Sequence, residues 1–361
     1  MQRLIRVVGV AALLVGAACQ PAPSTPPTAA PAAAPKPTSA PAVAPATGGA
    51  KNIVIPKPSG DLTVKLGYPS DQSLGTLPGS ITNDRLKGEG WKTEDVYFTR
   101  ADLNTQALSQ GTVQISIAQA LEAARVIEKG AGVSWLAENN RGEFVLITKK
   151  DIADCKGLDG RRFGIHGETA TTSVAAVNYL KNQCGINPQV LVIPGGDNRA
   201  VALVNDQLDG TIAQVADWLN LDAETPGKFR LLDTGNLFDI SGTQLWVNND
   251  WAAKNPDVAA AYLAETLKTF RIVREDPTVL YDAMRKYLPK TPESQYEPAV
   301  KAYIDVVQSW LPDGGGIESV DTTLKFFTES GDLKSALDAN KMVNDSVRSK
   351  AMALLSAAGA H

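Results

Sequence analysis

Only two histidines, His166 and His361, occur in 361 residues. A metal site of the usual clustered-histidine type is therefore not expected, and a Ser-His-Asp triad would have to be built on one of these two. Basic charge is also short. Lys and Arg number 35 against 39 Asp and Glu, a formal net charge of −4, so a nucleic-acid partner, which calls for a basic face, is excluded from the reading. The glycine runs at Gly195, Gly196 and at Gly314, Gly315, Gly316 lack the Lys-Ser/Thr that follows a phosphate-binding loop, and they read as turns. No catalytic residue, cofactor or metal is expected, and the chain does not read as an enzyme.

The first residues carry more. Arg3 and Arg6 give a basic start, an apolar run follows over 7–15, and Gly16, Ala17 and Ala18 supply small residues just before Cys19. Such a run is too short to span a bilayer, which takes roughly 20 apolar residues, and it reads as a secretory signal. Small residues directly before Cys19 resemble the lipobox of a bacterial lipoprotein, in which that cysteine is lipidated; ordinary cleavage after Ala18 is the alternative. Removing the signal takes away two positive charges and moves the net charge from −4 to −6.

From 20 to 50 the chain is almost entirely Pro, Ala, Thr, Ser and Gly, with Lys36 the only charge before Lys51. This composition cannot bury a core and is expected to form an extended tether, reaching roughly 90 Å at about 3.1 Å per residue. The two cysteines left after Cys19 are Cys155 and Cys184, an even pair in an oxidising compartment. They fall at the same end of one β-α unit, so a structural disulfide between them is a candidate pairing.

Beyond 62 lie about 300 residues, enough for a large domain or two lobes. Strand-like runs alternate with amphipathic helices: 62–67, then the 81–90 region; 96–99, then 104–110; 114–117, then 118–129. Such alternation predicts an α/β fold with largely parallel sheets covered by helices on both faces. Strands over 133–137 and 143–148 read as a pair joined by a polar turn at 138–142. A second, shorter α/β set runs from 161 to about 234, a late strand covers 242–248, and helices follow, opened by Pro256 and Pro277. The layout predicts two lobes joined by two crossings, near 148–150 and near 242–248. Ligands in such sheets bind at the carboxyl ends of the strands.

Five segments occur in an order that carries a resemblance: Gly67, Tyr68 and Pro69 after the first strand; GTVQISIAQ at 111–119; CKGLDGRRFGIHG at 155–167; AVALVNDQLDGTIA at 200–213; and WVNNDWAAKNPD at 246–257. The chain resembles the periplasmic solute-binding proteins of ABC importers, in the group that includes nitrate, sulfonate, taurine and thiamine-pyrimidine binders. The resemblance implies a two-lobed type II binding fold that closes over one small-molecule solute and presents it to a permease and its ATPase. It further implies an exported, monomeric protein, held to the membrane here by the lipid anchor. Lobe 1 would comprise 60–149 and 240–361, and lobe 2 would comprise 150–239. The clustered cysteines of the related fungal pyrimidine synthases are missing. An exported enzyme or a ligand sensor on the same fold is the competing reading.

The expected cleft gathers strand-end segments from both lobes. The first supplies Tyr68, Ser70, Asp71, Gln119, Glu138, Asn139 and Arg141; the second supplies Glu168, Thr169, Thr171, Thr172 and Ser173, then Gln214, Asp217 and Trp218. At the Gly167 corner, hydroxyls and the unpaired N–H groups of a helix start favour an acceptor-rich ligand. Glu168 opposes a bare inorganic anion there. With Asp71, Glu138 and Asp217 nearby, the solute is expected to carry an amine, hydroxyls or a polar ring. Arg141 and Arg199 are candidate clamps for a carboxylate or sulfonate, with solvated loop charges the alternative; Trp218 could stack on a flat ligand or an ammonium group, with core packing the alternative; and Trp246 and His166 read as packing residues.

Overall fold

A computed structural model describes residues 49–234 and 242–359. The signal-like start, Cys19, the expected tether up to residue 48, the stretch 235–241 and residues 360–361 lie outside the described residues. Past Gly49 the chain is pinned at once, because the Ala50 amide donates to Glu275 Oε2 at 2.6 Å and Lys51 pairs with Asp276 at 2.7 Å.

Two five-stranded sheets follow. The first holds β1 (Thr63–Tyr68), β2 (Lys92–Tyr97), β3 (Ile115–Gln119), β4 (Val133–Asn140) and β10 (Thr243–Asn248), in the order β2-β1-β3-β10-β4. β1 runs parallel to β2 and β3, and β10 is antiparallel to both β3 and β4. The second holds β5 (Phe144–Lys149), β6 (Arg162–Ile165), β7 (Gln189–Val192), β8 (Gly210–Gln214) and β9 (Phe229–Leu231), in the order β7-β6-β8-β5-β9. Here β6, β7 and β8 are parallel, and β5 is antiparallel to its two neighbours.

Helices cover both faces of each sheet, as parallel strands buried on both sides require. On the first sheet, α1 (Leu77–Gly88) and the long α8 (Pro256–Glu275) form one core with Val64, Leu66, Tyr68 and Leu136, while α2 (Ala101–Ser109) and α3 (Ala120–Ile127) form the other with Ala118, Trp135 and Trp246. Pro256 opens α8 at its first position, where a missing N–H costs nothing. On the second sheet, α4 (Thr171–Asn178) packs over Phe163 and Ile165, and α5 (Gly196–Val204) and α6 (Val215–Glu224) pack over Ile147 and Ala213. The remaining helices, α7 (Asn249–Lys254), α9 (Thr278–Tyr287), α10 (Tyr296–Lys301), α11 (Glu318–Glu329) and α12 (Asp345–Ala357), follow the return strand.

The expected α/β class is what the chain forms, but one strand changes place. β4 and β5 are not a pair: Phe144 faces Gln214 and Ile147 faces Leu231 in the second sheet, whereas β4 pairs with β10. Residues 138–140, expected in a turn, continue β4. The Asn140 side chain explains why, since its Oδ1 accepts from both the amide and the hydroxyl of Thr243 at 2.8 Å and keeps the strand in the first sheet to its end. The first crossing is therefore 141–143, not 148–150, and 144–149 belongs with the second sheet. The return crossing enters the first sheet at Thr243, just after Gly242. A Cβ at Gly242 would lie 2.2 Å from the Asn140 carbonyl oxygen, so only glycine fits against β4 there.

Cys155 and Cys184 are joined by a disulfide, with Cα atoms 6.1 Å apart. It ties the turn before β6 to the end of the helical stretch after it. The pairing expected as a candidate is the one formed.

Candidate functional site

The strand ends of the two sheets face one another, and side chains from both meet between them. Gln214 Nε2, at the end of β8, donates to Ser73 Oγ in the loop after β1 at 3.4 Å. Beside it, the hydroxyl of Tyr303, from the helical stretch after α10, donates to Glu143 Oε2 at 2.7 Å. Gly75 lets these groups close up, because a Cβ there would lie 2.5 Å from Glu143 Oε2 and 2.8 Å from Asn140 Nδ2.

This part of the seam is acidic. Glu143 is 1% exposed, and burial pushes its carboxyl up to about 7; the Tyr303 hydroxyl works against that shift and the nearby Asp217 adds to it. Asp217 is pushed up to about 6, again by burial, although its Oδ2 accepts from the Gln214 amide at 3.1 Å and Arg199 favours its charged form. The same oxygen rests on the start of α5, where a Cβ at Gly196 would come within 1.9 Å of it.

A second contact lies at the start of α4. Glu122, on α3 of the first lobe, accepts from the Thr171 amide at Oε1 and from the Thr171 hydroxyl at Oε2, both at 2.8 Å. One turn along α3, Arg125 Nη1 donates to the Thr169 carbonyl at 2.6 Å. Glu122 is 3% exposed, and burial raises its carboxyl pKa while the Thr171 bonds oppose the rise. The Gly167 corner, expected to hold a ligand, thus has a protein carboxylate at its helix start. A depression of about 580 Å³ opens alongside, with Glu122, Arg125 and Thr169 among its lining residues.

The other expected residues divide. Tyr68 does not face the cleft: strand alternation puts it on the same side as Val64 and Leu66, and its hydroxyl pairs with Ser80 and Asp95 at 3.1 Å each. Ser70 is half-buried, with its hydroxyl on the Asp71 carbonyl, and Asp71 is exposed. Gln119 is buried at the start of α3. Glu138 is enclosed by Arg141, whose Nε donates to it at 2.8 Å, and by the Gly314–Gly316 turn; burial raises its pKa despite Arg141. Arg141 is thus spent on Glu138 rather than held free as a clamp. Asn139 donates to the Gly75 carbonyl at 2.8 Å and the Thr243 hydroxyl at 3.0 Å.

In the second lobe, Glu168 and Thr169 are exposed, whereas Thr171, Thr172 and Ser173 are buried, and Ser173 Oγ accepts from the Gly167 amide at 3.4 Å. Trp218 is half-buried against the core of α5 and β8. Arg199 is 3% exposed and donates to the carbonyls of Ile193, Gly195 and Ile212, which makes it a structural residue. His166 Nδ1 accepts from the Gly195 amide at 3.3 Å, and burial, then Arg199, depress its pKa to about 4.

Sequence reading missed Glu122, Glu143, Ser73 and Tyr303. Glu122 left a faint signal, an acid inside the apolar run Ala120, Leu121, Ala123, Ala124 of a helix expected to be buried. Tyr303 left none, because it reaches Glu143 from 160 residues away.

Residues 95–279 match the sequence profile of the family described as NMT1/THI5 like. No curated protein matches the chain. Among solved structures, it is similar to the alkanesulfonate-binding protein SsuA from Xanthomonas axonopodis pv. citri, with a TM-score of 0.62, 13% identity and coverage of 79% of this chain and 99% of that one. The periplasmic aliphatic sulphonate binding protein SsuA from Escherichia coli is similar with a TM-score of 0.60 at 15% identity, covering 79% and 98%. The periplasmic nitrate-binding protein NrtA from Synechocystis PCC 6803 gives 0.64 at 14% identity, covering 83% and 91%. At these identities the likeness establishes the fold, the two-lobed periplasmic binding architecture.

Proposed function

The chain belongs to the NMT1/THI5-like family, and from that premise we propose that it is the solute-capturing component of an ABC importer. It takes one small polar organic molecule between its lobes and delivers it to a membrane permease driven by an ATPase. In this reading the protein is exported, lipidated at Cys19, held to the membrane through the Pro- and Ala-rich tether, and active as a monomer. No bond of the solute is made or broken.

One observation carries the proposal: polar side chains meet at one seam between the two sheets, Gln214 at the end of β8 with Ser73 in the loop after β1, and beside them Tyr303 with Glu143 in the crossing between the sheets. Two bodies joined by two crossings have an open–closed equilibrium, and a small molecule touching both biases it toward closure. The seam offers carboxyls at Glu143 and Asp217, an amide at Gln214 and hydroxyls at Ser73 and Tyr303. This set suits a solute carrying an amine or several hydroxyls. Structural neighbours named for sulfonate and nitrate bind anions, and the acidic seam argues for a different cargo here.

The test is native mass spectrometry of the purified protein for co-bound solute, followed by a thermal-shift panel of amines, polyols, sulfonates, pyrimidines, nitrate and sulfate. A ligand of the folded state adds about 2.7 kcal/mol of stability at a hundredfold excess over Kd. A midpoint raised by an amine or polyol supports the reading; one raised by nitrate or sulfate alone overturns the assigned solute class. Lipidation is tested separately by palmitate labelling, with Cys19→Ser as the control that loses the label.

A further inference from the structure

We propose that Glu122 is a built-in occupant of the α4 corner: a first-lobe carboxylate that takes the place of an anionic ligand, latches the lobes together and refuses small anions. The start of a helix presents amide donors with no partner inside the helix and attracts negative charge. In this chain that demand is met from within, by two hydrogen bonds of 2.8 Å to Thr171. Arg125 adds a third bond across the same seam, to the Thr169 carbonyl, so α3 holds 169–171 at two points one turn apart.

A second carboxylate lies beside another helix start of the same lobe, although its own hydrogen bond, of 3.1 Å, is from the Gln214 amide at the head of α6. Asp217 Oδ2 lies against Gly196 at the start of α5, where a Cβ would be only 1.9 Å away. With a protein carboxylate bonded at the α4 start and another beside the α5 start, a free anion meets negative groups at both. The solute that closes this protein then binds the acids themselves or the hydroxyl and amide groups between them. The latch stands on the geometry alone; the refusal of anions rests also on the proposed capture of a solute.

Removing the carboxylate leaves a space reached from the depression beside Glu122. Glu122→Ala should therefore accept acetate there, whereas Glu122→Gln keeps the space filled and should not. The experiment is hydrogen exchange on the full-length protein without solute, comparing wild type, Glu122→Ala and Glu122→Gln, each with sodium acetate and with sodium chloride at equal ionic strength.

Loss of both hydrogen bonds should raise exchange at 169–173 by roughly tenfold or more in Glu122→Ala, and by less in Glu122→Gln, which keeps an acceptor for the Thr171 amide. A latch predicts a parallel rise at 72–76 and 214–217, across the seam but away from Glu122. Acetate should restore protection in Glu122→Ala only. A rise confined to 169–173 would reduce Glu122 to a local helix cap and overturn the latch. Equal acetate effects in all three proteins would overturn the idea of a vacated anion site. Should Glu122→Ala fail to fold, Glu122→Leu, which fills much of the space but accepts no hydrogen bond, decides the latch, because exchange unchanged from wild type at both places contradicts it. All of these readings are taken without solute, so a failure of the transport proposal leaves them interpretable.

Discussion

The hydroxyl of Tyr303 donates to Glu143 Oε2 at 2.7 Å, joining the C-terminal helical stretch to the residue just before the first strand of the second lobe. The bond holds a carboxyl whose pKa is lifted by burial from 4.5 to about 7, beside Asp217, lifted from 3.8 to about 6. Both groups bind a proton more tightly folded than unfolded. Their contribution is thus most favourable below the unfolded values and is lost as pH rises through the folded ones.

Between about pH 4.5 and 7 this pair should cost the fold up to about 3 kcal/mol per carboxyl in the limit of full burial. His166 has the opposite sign, since its depressed pKa means stability is lost as pH falls from 6.5 toward about 4. Glu143→Gln isolates the first effect. Urea midpoints measured from pH 4.5 to 8 should fall less steeply with pH in the variant, and parallel curves would contradict the assignment.

Asp217→Asn should weaken capture of an amine-bearing solute by roughly tenfold or more, the worth of a charge-assisted hydrogen bond. Titration calorimetry with the solute found by native mass spectrometry provides the measurement. Unchanged affinity would remove Asp217 from the binding set.

Gly75→Ala should destabilise the protein by about 1–3 kcal/mol, because its Cβ would press on Glu143 Oε2 and Asn140 Nδ2 at 2.5 and 2.8 Å. Chemical denaturation measures the loss. A change within about 0.5 kcal/mol, typical of an open surface site, would show that the seam gives way more easily than its spacing implies.

The double variant Cys155→Ser, Cys184→Ser opens a loop with a sequence separation of 29 and should cost about 3–4 kcal/mol of stability. Solute affinity should stay the same, since the bond belongs to the frame of the second lobe. The check is a denaturation midpoint with and without reductant: wild type should respond to reductant, and the double variant should not.

Much of the fold was legible because hydrophobic alternation is a local signal. β1, β6, β8 and the return strand lie within a residue or two of their expected places, and Pro256 marks the start of α8. Pairing is not local. β5 follows β4 in sequence, and nothing in its own residues shows that its partners are β8 and β9. The site was legible only at the level of segments. Tyr68 sits beside the cleft in sequence, yet its alternation with Val64 and Leu66 commits it to the core. At Thr171 the sequence indicates a donor-rich corner, but the group that fills it, Glu122, arrives from the other lobe.

Only residues 141–143 separate Asn140, the last of β4, from Phe144, the first of β5. Gly142 sits among them at φ 30°, a conformation that favours glycine. Where the proposed function has the lobes open and close, so short a span restricts the second lobe to a swing, like a page at its binding, rather than a slide. Displacement in such a swing grows with distance from Gly142. Glu143, one residue along, lies where such a swing displaces a side chain least, and its bond to Tyr303 ties that point to the C-terminal helical stretch.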